Sequence, residues 1–178
     1  AWRGAPLVNG AMRLAEHAGG NRSLLVAGHQ WREMVEACRP LSGFVAVNDR
    51  YREGIGTSIR CGVQRVTHVA GGVLLLLADQ PLVTRSHLDH LRACWKASPN
   101  AIVASQYAGI LGPPIIFPKQ YFGALCALSG DAGARSVVAM APDRVIAVEF
   151  EEAAVDIDRP EDLAALDAKG AAPPADRS

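Results

Sequence analysis

Asp79 is the residue of this sequence whose type and setting best suit chemistry. It lies in the segment GGVLLLLADQPL, residues 71–82, directly after an aliphatic run at residues 73–77. Glycines and a proline bound the run, so its length favours a strand covered on both faces, although the pattern alone also suits a buried helical segment. Open α/β sheets bind ligands just past the carboxyl ends of their strands. Asp79 is therefore a candidate ligand for the Mg²⁺ of a nucleotide; the alternative is an aspartate that only caps the following turn.

A second candidate site is the segment NDRYREGIGTSIRCG, residues 48–62. Gly54 and Gly56 permit a close backbone approach that a side chain would block. Thr57 and Ser58 place hydroxyls where the next helix should begin, and a helix N-terminus suits an anion or a ribose. Taken by itself, the pattern favours the simpler interpretation, an ordinary N-capped helix after a glycine turn.

These residues would be positioned by short apolar strands that alternate with helical segments along the chain. That alternation predicts an α/β fold with a mostly parallel sheet and helices on both faces. The predicted strands are 23–27, 44–47, 73–77, 101–105, 115–117 and 145–150, and the predicted helices are about 31–38, 85–97 and 121–128. Another helix is expected to begin at Thr57 and Ser58 with an apolar stripe that runs to Val66, and further helices open at 130–135 and 156–163.

The sequence also predicts the N-caps of two helices and the surroundings of two histidines. Thr84 is expected to cap the helix at 85–97, and Asp131 to cap the helix that opens near it. His87 and His90 lie three residues apart on a predicted helix, but no third ligand lies near them in the sequence. We therefore expect solvated histidines rather than a metal site.

Composition limits the class of protein. The 178 residues suit one domain, predicted at 1–168 and followed by a loose Pro/Ala-rich tail at 169–178. A formal net charge of zero offers no basic excess for nucleic acid. No apolar run approaches the roughly 20 residues that span a bilayer, and no signal peptide is visible. The four scattered cysteines predict reduced, mostly buried thiols in a cytoplasmic protein.

Five motifs occur in a set order along the chain. They are the Asn48 loop with its glycines, Ala78-Asp79-Gln80-Pro81, Gly112-Pro113-Pro114 with Phe117, Gly130-Asp131-x-Gly133-Ala134-Arg135, and Asp156-x-Asp158-x-Pro160-Glu161-Asp162-Leu163. Together they resemble the MobA-like nucleotidyltransferases, nearest to the molybdenum cofactor cytidylyltransferase (MocA-type) branch. The resemblance runs from Trp2 to about Leu166.

The resemblance implies a Rossmann-like three-layer α/β/α sandwich, similar to the nucleotide-diphospho-sugar transferases. It also implies Mg²⁺-dependent transfer of a nucleoside monophosphate from an NTP. In MocA-type members CTP donates CMP to the phosphate of the molybdopterin cofactor, and pyrophosphate is released. Three interpretations of the function stay open. The protein is a cytidylyltransferase of this type, a nucleotidyltransferase that uses GTP or acts on another small phosphorylated acceptor, or a non-catalytic maturation protein that binds the molybdenum cofactor. A molybdoenzyme or its maturation chaperone is a further implied partner.

The same resemblance implies roles for individual residues. Asp79 and Asp158 would be the catalytic metal ligands, with Asp156 a weaker candidate. The nucleotide side would be formed by Asn48, Gly54, Gly56 and Ser58. The acceptor side would be formed by Gly112, Pro113, Pro114, Asp131 and Arg135, with Arg135 meeting the acceptor phosphate.

The sequence differs from the family pattern at two places, and each difference leads to an expectation. The family begins with a strand and a Gly-rich loop, L-A-A-G-x-S-x-R-x-G-x-x-K, and this sequence starts just beyond that segment. We expect the numbering to begin after a truncated or unrecorded N-terminus. If the absence is real, neighbouring strands lack a ladder partner, NTP binding should be weak or absent, and Arg3 would be the phosphate-seeking side chain near the crevice. Arg159 also replaces a usual Thr, so Asp158 or solvent must satisfy the next helix's first N–H groups.

Overall fold

Strands and helices alternate along the chain in the computed structural model, which describes residues 6–40 and 42–155. Within those ranges, none of the helices is both long and apolar enough to cross a membrane. The helices are α1 (Leu7–Gly19), α2 (Trp31–Ala37), α3 (Ile55–Val66), α4 (Arg85–Ala97), α5 (Phe122–Cys126) and α6 (Ala134–Ala139). The strands are β1 (Leu24–Ala27), β2 (Phe44–Val47), β3 (Gly72–Leu75), β4 (Ile102–Tyr107), β5 (Ile110–Pro118) and β6 (Val145–Glu149).

The strands of the described part of the chain form two sheets. β1 and β2 pair in parallel, and the larger sheet has the order β3-β5-β4-β6. In it β4 and β6 are parallel, whereas β5 is antiparallel to both β3 and β4. The reversal follows from a two-residue turn at Ala108 and Gly109, whose φ angles of 47° and 72° suit a tight hairpin. The predicted α/β class is confirmed, and the hairpin is an addition that the alternation did not predict.

Helices cover both faces of the larger sheet, because alternate residues of its strands enter opposite cores. In β5, Ile115 and Phe117 pack in the core formed with α3, α5 and α6. Ile116, between them, packs on the other face with Leu88 and Leu91 of α4. The arrangement is the three-layer α/β/α sandwich that the family resemblance implies.

The strand predicted to be central and covered on both faces is shorter and less buried than expected. β3 ends at Leu75, pairs with β5 alone among the described strands, and contains no fully buried residue. α1 nevertheless packs against both sheets, since its Leu14 joins the cluster of Leu74 whereas its Met12 joins that of Leu25 in β1. β1 and β3 thus lie under the same helix, and each has a single ladder partner among the described strands.

The two predicted helix caps have different outcomes. Thr84 caps α4 as predicted, because its Oγ1 accepts a hydrogen bond of 3.0 Å from the backbone N–H of His87. The prediction that Asp131 caps the next helix is wrong. α6 begins two residues later than such a cap requires, with Gly133 at its N-cap position. Asp131 belongs instead to a loop that packs against α3.

The four cysteines are all free, but they are less buried than predicted. Only Cys38 is buried, and Cys61, Cys94 and Cys126 are partly exposed. Burial raises the pKa of the Cys38 thiol, and the nearby Glu16 raises it further. Cys38 is therefore a protonated core residue at neutral pH.

Candidate functional site

The candidate site lies at the carboxyl edge, the edge of the sheet layer where β2, β3, β4 and β6 end. Asn48 directly follows β2, and Asp79 follows β3 by four residues. β4 and β6 are parallel to each other and antiparallel to β5, which is itself antiparallel to β3, so β3, β4 and β6 end on one side. β2 reaches β3 through the single crossover helix α3, the connection typical of parallel strands. Asn48 and Asp79 are thus on loops of the edge where such sheets bind ligands.

Asn48 links the end of β2 to the start of α3 through side-chain hydrogen bonds. It is 5% exposed, and its Nδ2 donates to Thr57 Oγ1 at 2.9 Å and to Ser58 Oγ at 3.0 Å. Its Oδ1 accepts from the backbone N–H of Arg50 at 3.0 Å. The structure therefore brings Asn48 into contact with Thr57 and Ser58, the two hydroxyl residues of the second candidate site. The contact of Asn48 and Ser58 with a base or ribose stays a prediction.

Gly54 and Gly56 permit a close approach, but the segment that approaches them in the structure is a loop of the same chain. Gly54 has a φ of 103°, and a Cβ there would lie 2.6 Å from Asp131 Oδ1. A Cβ on Gly56 would lie 2.9 Å from the carbonyl oxygen of Ala132, and the Gly56 N–H donates to Gly130 O at 3.0 Å. The glycine segment and the 129–132 loop are consequently one packed unit.

This packing brings the predicted nucleotide side and part of the predicted acceptor side together. Asp131 is exposed beside Gly54, and Arg135 is exposed in the first turn of α6. Glycine spacing alone did not predict this contact, because it gives no information about which distant loop fills the space. The acceptor role of Asp131 and Arg135 stays a prediction.

The loop of Asp79 is fixed by its neighbour, Gln80. Asp79 itself is half-buried, whereas Gln80 is only 4% exposed. Gln80 Nε2 donates to the carbonyl oxygen of Ala153 at 2.8 Å and to Tyr107 Oη at 3.3 Å. These partners lie at the end of β4 and in the short 3-10 helix Glu151–Ala154 that follows β6. Sequence reasoning missed Gln80, since a glutamine in a turn is usually exposed.

The Gly-Pro-Pro segment lies within β5, and its first residue makes room for a tyrosine. A Cβ on Gly112 would lie 2.7 Å from Cζ of Tyr107, so a side chain there would displace the ring. Gly112 and Pro114 are buried and Pro113 is half-buried. Packing thus accounts for Gly112, and the predicted acceptor contacts of Gly112 and Pro113 stay predictions.

The charges next to the glycine segment are partly paired. The Arg50 guanidinium contacts both carboxylate oxygens of Glu53, at 2.6 Å and 2.5 Å. That hydrogen bonding raises the pKa of Arg50 and lowers the pKa of Glu53. Both side chains are exposed, so the pair orders the loop only weakly.

The donor set at the carboxyl edge fits a hard divalent cation. Residues 6–40 and 42–155 contain no group of three or more His, Cys, Asp or Glu side chains that could hold a metal by themselves. Mg²⁺ in proteins often takes one or two carboxylates and completes its shell with waters and phosphate oxygens, so Asp79 is a candidate ligand, and its metal role stays a prediction. The other predicted ligands, Asp158 and Asp156, lie outside the described residues, as do Arg159, the helix predicted at 156–163 and the tail predicted at 169–178.

Comparison with known proteins identifies the family. A family model described as the MobA-like NTP transferase domain matches residues 1–147. The chain belongs to that family. It is also 36% identical over 87 residues to the purine catabolism protein PucB of Bacillus subtilis, a match that covers 48% of this chain and 41% of PucB. The chain spans less than half the length of the curated relatives it matches.

Solved structures agree with the family assignment. The manganese complex of Rv0371c from Mycobacterium tuberculosis is 25% identical, with a TM-score of 0.72, over 93% of this chain and 88% of that one. A nucleotidyl transferase from Methanothermobacter is 19% identical, with a TM-score of 0.77, over 95% of this chain and 82% of that one. The second likeness concerns the fold alone. The resemblance predicted from motif order is confirmed at the level of family and fold.

Proposed function

We propose that this chain carries a divalent-cation-dependent nucleotidyltransferase domain. The observation that carries the proposal is the position of Asp79 in a chain of this family: a half-buried carboxylate in a clamped loop, at the carboxyl edge of a three-layer α/β/α sandwich. The structural relative solved as a manganese complex supports a divalent cation as cofactor. Mg²⁺ is the cation we expect to be used, with Asp79 and Asp158 as its protein ligands.

The specific reaction we propose is cytidylyl transfer to the molybdopterin cofactor. An oxygen of the acceptor's phosphate attacks the α-phosphorus of CTP, a new P–O–P linkage forms, and the bond to the β-phosphate breaks. Pyrophosphate leaves with the electron pair of that bond. The ordered motif set, which is nearest to the MocA-type branch, supports CTP and this acceptor over other pairs.

The chain's own residues would mainly bind and orient the two substrates. Asn48 and Ser58 hold the start of α3 near the edge where the nucleoside would lie. The exposed Arg135 would meet the acceptor phosphate, since a guanidinium pairs well with phosphate oxygens. When bound, the cation would neutralise charge that develops on the phosphates. Holding both substrates in line accounts for much of the rate enhancement expected of such an enzyme.

The proposal is tested by following both products. The full-length protein is incubated with Mg²⁺, molybdopterin cofactor and α-labelled CTP or GTP, and the labelled dinucleotide and pyrophosphate are measured. We expect both products with CTP. Products with GTP alone would replace cytidylyl transfer by a related transferase, and cofactor binding without either product would favour a non-catalytic maturation protein.

A further inference from the structure

We propose that Gln80 is a positioning residue that ties the loop of Asp79 to the 3-10 helix Glu151–Ala154. The inference rests on the proposed function, because it assigns Gln80 a role in holding the proposed metal ligand Asp79 in place. It concerns a residue that the motif comparison gave no role of its own.

The tie consists of two hydrogen bonds from one buried amide. Gln80 Nε2 donates to the carbonyl oxygen of Ala153 at 2.8 Å, across 73 residues of chain, and to Tyr107 Oη at 3.3 Å. The orientation of the amide is decided by its partner, since a backbone carbonyl can only accept. Gly112 has no side chain, which leaves room for the Tyr107 ring that supplies the second contact.

The hydrogen bonds of Gln80 affect the candidate site through its neighbour in the chain, Asp79. Gln80 directly follows Asp79 in the sequence. Fixing the Gln80 side chain to Ala153 and Tyr107 therefore limits how far the loop that carries Asp79 can move.

Glutamine suits this task better than its nearest alternatives. An ionised glutamate has no N–H to donate and would place a negative charge against the carbonyl of Ala153. Methionine has a similar length but again no donor. Residues that hold metal ligands in place typically change metal affinity about 10- to 100-fold when they are replaced.

The experiment compares Gln80→Met with a matched control, Gln120→Met. Gln120 also donates its Nε2 to a backbone carbonyl, that of Asn100 at 3.0 Å, but it is exposed and belongs to the 3-10 helix Lys119–Tyr121, outside the candidate site. Mn²⁺ binding to the full-length protein with CTP present is measured by electron paramagnetic resonance, and hydrogen exchange is followed at residues 151–155. We expect about tenfold weaker Mn²⁺ binding and faster exchange for Gln80→Met, with the CTP KM little changed, and wild-type values for Gln120→Met.

The outcomes separate this inference from the proposed function. A wild-type protein that binds no Mn²⁺ in the presence of CTP would refute the proposed function and the positioning role together. Mn²⁺ binding that is equally tight in wild type and Gln80→Met would refute the positioning role alone. If Gln80→Met does not fold, Tyr107→Phe removes only the 3.3 Å contact, and it should give a smaller loss of Mn²⁺ affinity in the same direction; no loss in that variant would overturn the proposal.

Discussion

His87 should make the folded protein lose stability as the pH falls from about 6.5 to about 4. The side chain is 6% exposed, and its ring stacks on Phe150 with centroids 3.9 Å apart. Its Nε2 lies 2.8 Å from Ser105 Oγ, which itself donates to the carbonyl oxygen of Pro114 at 2.9 Å. Ser105 can then only accept from the ring, so the neutral form of His87 carries its proton on Nε2. The expectation of a solvated His87 was therefore wrong, whereas His90 is exposed as expected.

The size of the effect follows from the pKa. Burial, with a smaller contribution from the neighbouring His90, lowers the pKa of His87 from 6.5 to about 4. Between those two values the unfolded chain binds a proton that the folded chain does not, so the free energy of unfolding falls as the pH falls. At about 1.4 kcal/mol per pH unit, the loss reaches about 3 kcal/mol near pH 4 and is absent above about pH 7.

Urea unfolding between pH 7.5 and pH 4.5 tests this reasoning when wild type is compared with His87→Gln. Glutamine keeps a neutral donor for Ser105 but does not titrate, and His90→Gln is the matched exposed control. We expect the stability difference between wild type and His87→Gln to change by about 2 to 3 kcal/mol across that range, in the direction that penalises wild type at low pH. Curves for wild type and His87→Gln that stay parallel would refute the assignment of a buried neutral histidine.

Two further predictions concern the packed unit around α3. Asn48→Ala should lower the free energy of unfolding by about 1–3 kcal/mol, because two hydroxyls and a backbone N–H lose a buried partner; an unchanged urea midpoint would contradict the network. Gly56→Ala should destabilise the protein by about 1–3 kcal/mol, since its Cβ would meet Ala132 O at 2.9 Å. Gly10→Ala, at an exposed helical position with open space, should be neutral or stabilising by up to about 1 kcal/mol, and equal losses in both alanine variants would count against specific packing at Gly56.

Much of the fold could be predicted because its signals are local. The strand at Phe44–Val47 and the helix at Arg85–Ala97 have the predicted bounds, since each has a clear apolar pattern and a polar boundary. The hairpin between β4 and β5 was missed because its turn contains Ala108, a residue with no preference for a positive φ. The burial of the strand at 73–77 was overestimated, because an aliphatic run does not indicate how many neighbouring strands will pair with it in the sheet.

The candidate site was predictable in part, and what was missed depends on contacts between distant segments. The position of Asp79 follows from the end of an aliphatic run, which a proline bounds in the sequence. The contact of Asn48 with the start of α3 follows from a strand end and a helix start that are close together in the sequence. The packing of Gly54 against Asp131, and of Gln80 against Ala153, joins segments more than 70 residues apart. Contacts between distant segments leave no periodic pattern in the sequence, so only the three-dimensional structure identifies them.

The central claim is that Asp79 holds the divalent cation of a nucleotidyltransferase, and Asp79→Asn tests it most directly. The change keeps the size of the side chain and removes its charge, and Asp143→Asn, at an exposed position before β6, is the matched control. The measurement is Mg²⁺-dependent pyrophosphate release from CTP in the presence of the molybdopterin cofactor, with circular dichroism as the check on folding. The account predicts a folded Asp79→Asn protein without metal-dependent turnover and a fully active Asp143→Asn protein; wild-type turnover in Asp79→Asn would contradict it.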